Sequence, residues 1–194
     1  MCLANASSKQ VRTDEENCNG AMHDYVCVCV VSLRCFGTQC SYTLGMVGYV
    51  ESLTDPSYEG QILVLTYPMV GNYGVPARPT DAAAMTQVPP KLQAPFESTR
   101  IHVAGLVVAY YSHDFSHYLA ASGLSDWLKE NGVPAVYGID TRALTKRIRT
   151  KGSMLARLLA ARPGASLGGD WREQVLDVPW HNPNGENLVA KVSC

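Results

Sequence analysis

Excess charge of one sign is missing from this chain. Its 194 residues carry 16 basic and 17 acidic side chains, a formal net charge of −1. Nucleic-acid binding normally leaves a strong basic excess, so that partner class is excluded. Long apolar runs are missing too: none reaches the ~18 residues that a membrane-spanning helix needs, and no membrane partner is expected. The opening Met1-Cys2-Leu3-Ala4 has neither the basic start nor the apolar stretch of a secretory leader. Cysteine is absent from residues 41–193, because six of the seven lie in the first 40. A secreted disulfide scaffold would cross-link its core, so the expected setting is reducing and cytoplasmic. Also lacking are a Gly-x-Ser-x-Gly elbow, a P-loop, a dinucleotide fingerprint, a paired-carboxylate motif and a Cys–His pairing. No complete catalytic set is legible.

What is present is a 46% hydrophobic composition and enough length for one domain burying roughly 70% of its unfolded surface. Residues 1–24 are polar and unpatterned, which predicts disorder. The run YVCVCVVSLRCF, residues 25–36, reads as a strand. Turns are expected at Gly45–Tyr49 and at Ser57–Gly60, the second capped by Asp55 and opened by Pro56. Gln61–Tyr67 (QILVLTY) is uncharged and β-branched, hence a central strand. A proline-rich loop follows to about Pro95. Ile101–Tyr110 reads as a strand, 118–131 as a helix closed by Gly132, and 134–139 as a strand. A basic helix follows, with Asp140 or Thr141 as its N-cap and Gly152 as its stop, then an irregular tail. Strand–helix–strand units imply a parallel component, so the class is α/β.

Several groups invite chemistry. In Thr54-Asp55-Pro56-Ser57-Tyr58, Ser57 offers an exposed hydroxyl to a polar ligand, or simply completes a capped turn. Asn72-Tyr73-Gly74 is either a turn with a packed tyrosine or a rigid contact edge. His113 and His117 stand four apart, the spacing of a helical metal site, yet Ser112 and Ser116 favour a polar loop. Cys27, Cys29, Cys35 and Cys40 are spaced C-x-C-x₅-C-x₄-C, a poor match to zinc ligands. Cysteines 27 and 29 would instead share one strand face as small hydrophobes. The cations Lys146, Arg147, Arg149 and Lys151 do not share one helix side, which favours a solvated face over an acidic partner.

Taken together, a set of segments resembles the N-terminal domain of the small, glutaminase-bearing chain of carbamoyl-phosphate synthetase. They are Gly45-Met46-Val47-Gly48-Tyr49, Leu53 to Tyr58, Gln61 to Pro68, and Gly71-Asn72-Tyr73-Gly74. Phe96-Glu97-Ser98, Ile101 to Leu106, Gly138-Ile139-Asp140-Thr141-Arg142 and Gly152-Ser153-Met154 continue the series, and Pro183-Asn184 with Asn187-Leu188-Val189 closes it. The wording is most similar to the fused pyrimidine-synthesis proteins of lower eukaryotes. The resemblance implies a three-layer β/β/α, swivelling-type domain over residues 45–193, docked on the synthetase part and bordering a glutamine site. It implies Ser57 as a glutamine contact and Tyr49, Asn72, Tyr73, Gly74, Asp140 and Arg142 as partner contacts. The implied partners are the synthetase large chain and a class-I amidotransferase domain with its Cys-His-Glu set. No cofactor is expected on this domain, ATP and magnesium being used by the synthetase.

Three departures from the family pattern accompany the resemblance. Residues 1–44 lack the family's opening hairpin, which predicts a domain incomplete at its N-terminus with an exposed sheet edge. Val50 stands where a proline is usual, which predicts a slightly looser turn. The chain stops at Cys194, ahead of the amidotransferase residues, which predicts no turnover by this chain alone. The alternative expectation is a non-catalytic binding module or fragment that keeps the docking surface.

Overall fold

A computed structural model of the chain describes residues 4–5, 26–29, 36–77, 96–152, 154–159 and 181–192. Its centre is a seven-stranded sheet of β1 (Ala4–Asn5), β2 (Val26–Cys29), β3 (Phe36–Thr43), β4 (Ile62–Leu65), β7 (Gly105–Val107), β10 (Ala135–Tyr137) and β11 (Met154–Leu159). The spatial order is β1-β10-β7-β4-β3-β11-β2. Every pairing is parallel except β3 with β11. Two small ribbons flank it: β5 (Met69–Val70) beside β8 (Tyr110–Tyr111), and β6 (Val75–Pro76) beside β9 (Ala120–Ser122).

Strand alternation sorts the core into two layers. Leu63, Leu65 and Leu106 face a cluster with Tyr49, Val50 and Leu53 of α1 (Tyr49–Thr54), Leu124, Trp127 and Leu128 of α2 (Leu124–Glu130), and Val70 and Val75 of the ribbons. Ile62, Val64, Val107 and Val136 face the other side, where Leu144 and Ile148 of α3 (Thr141–Lys151) pack with Cys40, Met154 and Leu158. The domain is therefore α/β with three layers: α3, the sheet, and a second face of short helices and ribbons.

The expected strands at 61–67, 101–110 and 134–139 are present in shortened form, and α3 is capped as expected. Asp140 Oδ1 accepts from the Ala143 amide at 2.9 Å, and the Gly152 amide closes on Ile148 O. Several boundaries differ. The strand expected at 25–36 is present at Val26–Cys29, and the strand beside β4 is β3, whose Cys40–Thr43 take up the parallel register with Ile62–Leu65. Val26–Cys29 lies on the far side of β11 instead. The expected tail begins with a strand, β11, which fills the position next to β3. The expected turn at Tyr49 is the start of α1, where Val50 is wholly buried. The helix expected from 118 begins at Leu124, because 120–122 is extended and pairs with β6. Within the expected disordered segment, Ala4–Asn5 pair with Val136–Tyr137, and the rest of 1–24 lies outside the described residues. So do residues 78–95 of the proline-rich loop.

Among the described residues no helix is long and apolar enough to cross a membrane.

Candidate functional site

Parallel strands give the sheet two unlike edges. Residues 55–61 lead into β4 and 96–104 lead into β7, so both lie at the N-terminal edge. Residues 66–74, 108–118 and 138–140 follow β4, β7 and β10 and lie at the C-terminal edge. The expected ligand contact falls on the first edge and the expected partner contacts on the second.

At the N-terminal edge, Asp55-Pro56-Ser57-Tyr58 folds as the capped turn that the residues predicted. Asp55 Oδ1 accepts from the Ser57 amide at 2.8 Å, Pro56 opens a single 3₁₀ turn, and the Glu59 amide donates to Pro56 O. Ser57 is exposed, and its hydroxyl makes no hydrogen bond among the described residues. Tyr58 carries the turn to an open depression of about 370 Å³, lined also by Gln39, Ser41, Tyr42 and Arg149. Polar groups on these side chains suit a small polar ligand. Cys40 lines it too, but burial pushes its thiol up to about 12, so it stays protonated and a poor nucleophile.

Behind the turn sits an ionic string that local reading missed. Glu59 is 7% exposed and His102 6%. Glu59 Oε2 lies 2.5 Å from His102 Nδ1, and His102 Nε2 lies 2.9 Å from Ser98 Oγ. The order Ser–His–Glu mimics a nucleophilic triad, but the Ser98 hydroxyl is also engaged by two backbone carbonyls. Ser98 Oγ is 2.7 Å from Thr54 O and 3.0 Å from Arg100 O, and its one proton must go to a carbonyl. Arg100 and Lys191 add their cations to Glu59 at 3.6 and 3.5 Å. Glu59 and His102 are 43 residues apart. Their one sequence signal is an ionisable residue just ahead of each of two apolar strands. In a parallel sheet, adjacent strands begin side by side, so those positions meet.

At the C-terminal edge, Tyr49 and Tyr73 stack with centroids 4.0 Å apart. Tyr73 OH accepts from the Gly48 and Tyr49 amides at 2.9 Å each, and Tyr49 OH donates to Gly74 O at 2.6 Å. Burial raises both phenols above their ordinary value. Tyr49 and Gly74 are buried, Tyr73 is half-buried, and Asn72 is exposed. Gly74 has φ +65, and a Cβ there would lie 2.8 Å from Ser122 O, so no other residue fits. Asp140 and Arg142 are exposed at the start of α3. Exposed apolar side chains crowd this edge: Leu44, Met46, Val47, Met69, Tyr110 and Tyr118.

His113 lies edge-on to Tyr111 and Tyr137, while His117 packs against Tyr73 and Tyr118. Among the described residues no three His, Cys, Asp or Glu side chains converge as metal ligands. Cys35 and the side chains of Cys27 and Cys29 lie outside the described residues.

A parallel-rich sheet with loops at both ends and helices on its faces defines a three-layer α/β domain. Comparison with known proteins makes that class particular. Residues 27–158 match the model of the carbamoyl-phosphate synthase small chain, CPSase domain. The chain belongs to that family. The match opens at residue 27 and so includes β3. The chain is 56% identical over 160 residues to the multifunctional protein pyr-3 of Neurospora crassa, covering 78% of this chain and 8% of that protein. It is 54% identical over 157 residues to the multifunctional protein URA2 of Saccharomyces cerevisiae, covering 78% and 7%. Against the arginine-specific carbamoyl phosphate synthase small chain of the same yeast it is 43% identical over 152 residues, covering 78% and 33%. The chain thus spans a small part of each relative's length.

Proposed function

We propose that the chain serves carbamoyl-phosphate synthesis as the N-terminal domain of a glutamine-hydrolysing small chain, in pyrimidine or arginine formation. The C-terminal edge docks on the synthetase part, which uses ATP and magnesium. The N-terminal edge borders the glutamine held by a class-I amidotransferase domain, and Ser57 contacts that glutamine. The setting is the cytoplasm. The observation that carries this reading is the Ser57 hydroxyl, exposed and without a partner among the described residues, on a turn whose backbone is fixed from both sides. The crowded apolar side chains at the opposite edge support docking there, with the exposed Asn72, Asp140 and Arg142 and the half-buried Tyr73 as contacts on the same edge.

The test is a chimera in which this chain replaces the matching segment of the Neurospora crassa relative. Glutamine-dependent carbamoyl-phosphate synthesis is expected. Ser57→Ala should raise the KM for glutamine by roughly tenfold, as loss of one hydrogen bond to a polar ligand predicts. Synthesis from added ammonia is the control. A chimera active on ammonia whose KM for glutamine ignores Ser57→Ala counts against the contact.

A further inference from the structure

The Ser57 turn is held by far more than a turn of its type requires. Asp55 and Pro56 suffice locally, and an apolar side chain at 59 would plug the core without the desolvation of a buried charge. The chain instead places a carboxylate there and surrounds it with three cationic or proton-bearing partners. We infer that the Glu59–His102–Ser98 string is the positioning unit of the Ser57 turn, and that Arg100 and Lys191 tie it to the C-terminal helix α4 (Leu188–Val192). The inference rests on the reading of Ser57 as a glutamine contact.

Both ends of the turn are stitched to residues 98–102. On the entry side, Ser98 Oγ donates to Thr54 O, and the His102 amide donates to Leu53 O at 3.0 Å. On the exit side, the Gly60 amide donates to His102 O at 2.9 Å, and Glu59 meets the His102 ring. Ser57 lies between these anchors, so the string fixes the backbone from which its hydroxyl projects. Glu59 and His102 are buried behind the turn; they orient Ser57 and do not touch the ligand.

The C-terminal segment reads the same carboxylate. Lys191 Nζ approaches Glu59 Oε1, and Arg100 Nη2 donates to Lys191 O at 3.1 Å. A Cβ on Gly60 would lie 3.6 Å from Pro183 Cβ, so this segment passes close by the turn. Displacement of α4 therefore removes a cation from Glu59 and slackens the turn that carries Ser57.

Amide hydrogen exchange on the full chain tests the unit directly. Glu59→Gln keeps the side-chain shape and removes the charge. It should speed exchange at Ser57, Tyr58 and Gly60 by roughly tenfold, with Leu63 and Leu106 unchanged. Lys191→Ala should speed the same amides by about threefold. Unchanged exchange at the turn, or equal acceleration in the sheet, overturns the inference. In the chimera, Glu59→Gln should raise the KM for glutamine while kcat stays within about twofold, as expected when positioning alone is lost. If Ser57→Ala raises KM and Glu59→Gln does not, the positioning unit falls and the glutamine contact stands. If Ser57→Ala has no effect, the contact falls and the exchange data alone decide the unit.

Discussion

Helix α1 has no capping side chain of its own, and Tyr73 supplies the missing acceptor from 25 residues away. The same short helix places Glu51 in its first turn, where a helix dipole favours a carboxylate. Burial opposes that preference and wins: it holds the Glu51 carboxyl above the ordinary value, with Glu97 adding repulsion. Its Oε2 is buried without a hydrogen-bond partner among the described residues. The native state therefore binds this proton more tightly than the unfolded state does. The resulting cost is absent well below the unfolded value of 4.5, grows as pH rises from there to the folded value, and is full beyond it. Glu51→Gln should accordingly raise the urea midpoint at pH 7 and leave it unchanged near pH 3.5. An equal gain at both pH values would assign the effect to packing. Residue-scale legibility was uneven. The Asp55–Ser57 cap spans two residues and is readable from side-chain chemistry, whereas the Tyr73 cap and the Glu59–His102 pair exist only through chain crossings.

Helix α3 was the most legible element. A capping aspartate, apolar Leu144 and Ile148 one turn apart, basic residues in the last turn and a terminal glycine all agree. Asp140 then carries two proposed roles, cap and partner contact, which its variants separate. Asp140→Ala should cost about 1 kcal/mol in chemical unfolding through loss of the cap. Asp140→Ser should retain most of that stability, because serine caps comparably while removing the charge. If both variants lose equal stability, the bond to the Ala143 amide is not what holds the helix start. Strand β3 was the least legible element. FGTQCSYT has no apolar run, yet Thr38 and Cys40 are buried and Thr38 Oγ1 donates to Gly60 O at 2.7 Å. Its neighbours on both sides, β4 and β11, make it central, and neither pairing is written in its own residues.

At the scale of the molecule, β11 closes the sheet against β3 after the chain has passed through α3. Met154, Ala156 and Leu158 are each no more than 3% exposed. Burying a Met or Leu side chain contributes roughly 1.5–3 kcal/mol against a net stability of about 5–15 kcal/mol. Truncation after Gly152 also strips the ladder from β3. The shortened chain should show no cooperative thermal transition by circular dichroism. A sharp melt from it would mean that the sheet is complete without β11. The two-edged layout is likewise a whole-molecule property. It sends the Ser57 turn and the apolar loops to opposite ends of the same strands, with α1 running between them.

The amino-acid sequence by itself determined the class of fold, the strands β4, β7 and β10, the helix α3, the second half of the segment that forms α2, the Ser57 turn and the family. Each depends on periodicity, capping chemistry or a contiguous motif, signals carried within about a dozen neighbouring residues. Tertiary structure alone decided that polar β3 lies at the centre and that the presumed tail contributes β11. It also decided that Tyr49 faces inward and that Glu59 meets His102. Those outcomes depend on which strand begins beside which, and parallel pairing brings together residues that no local pattern joins.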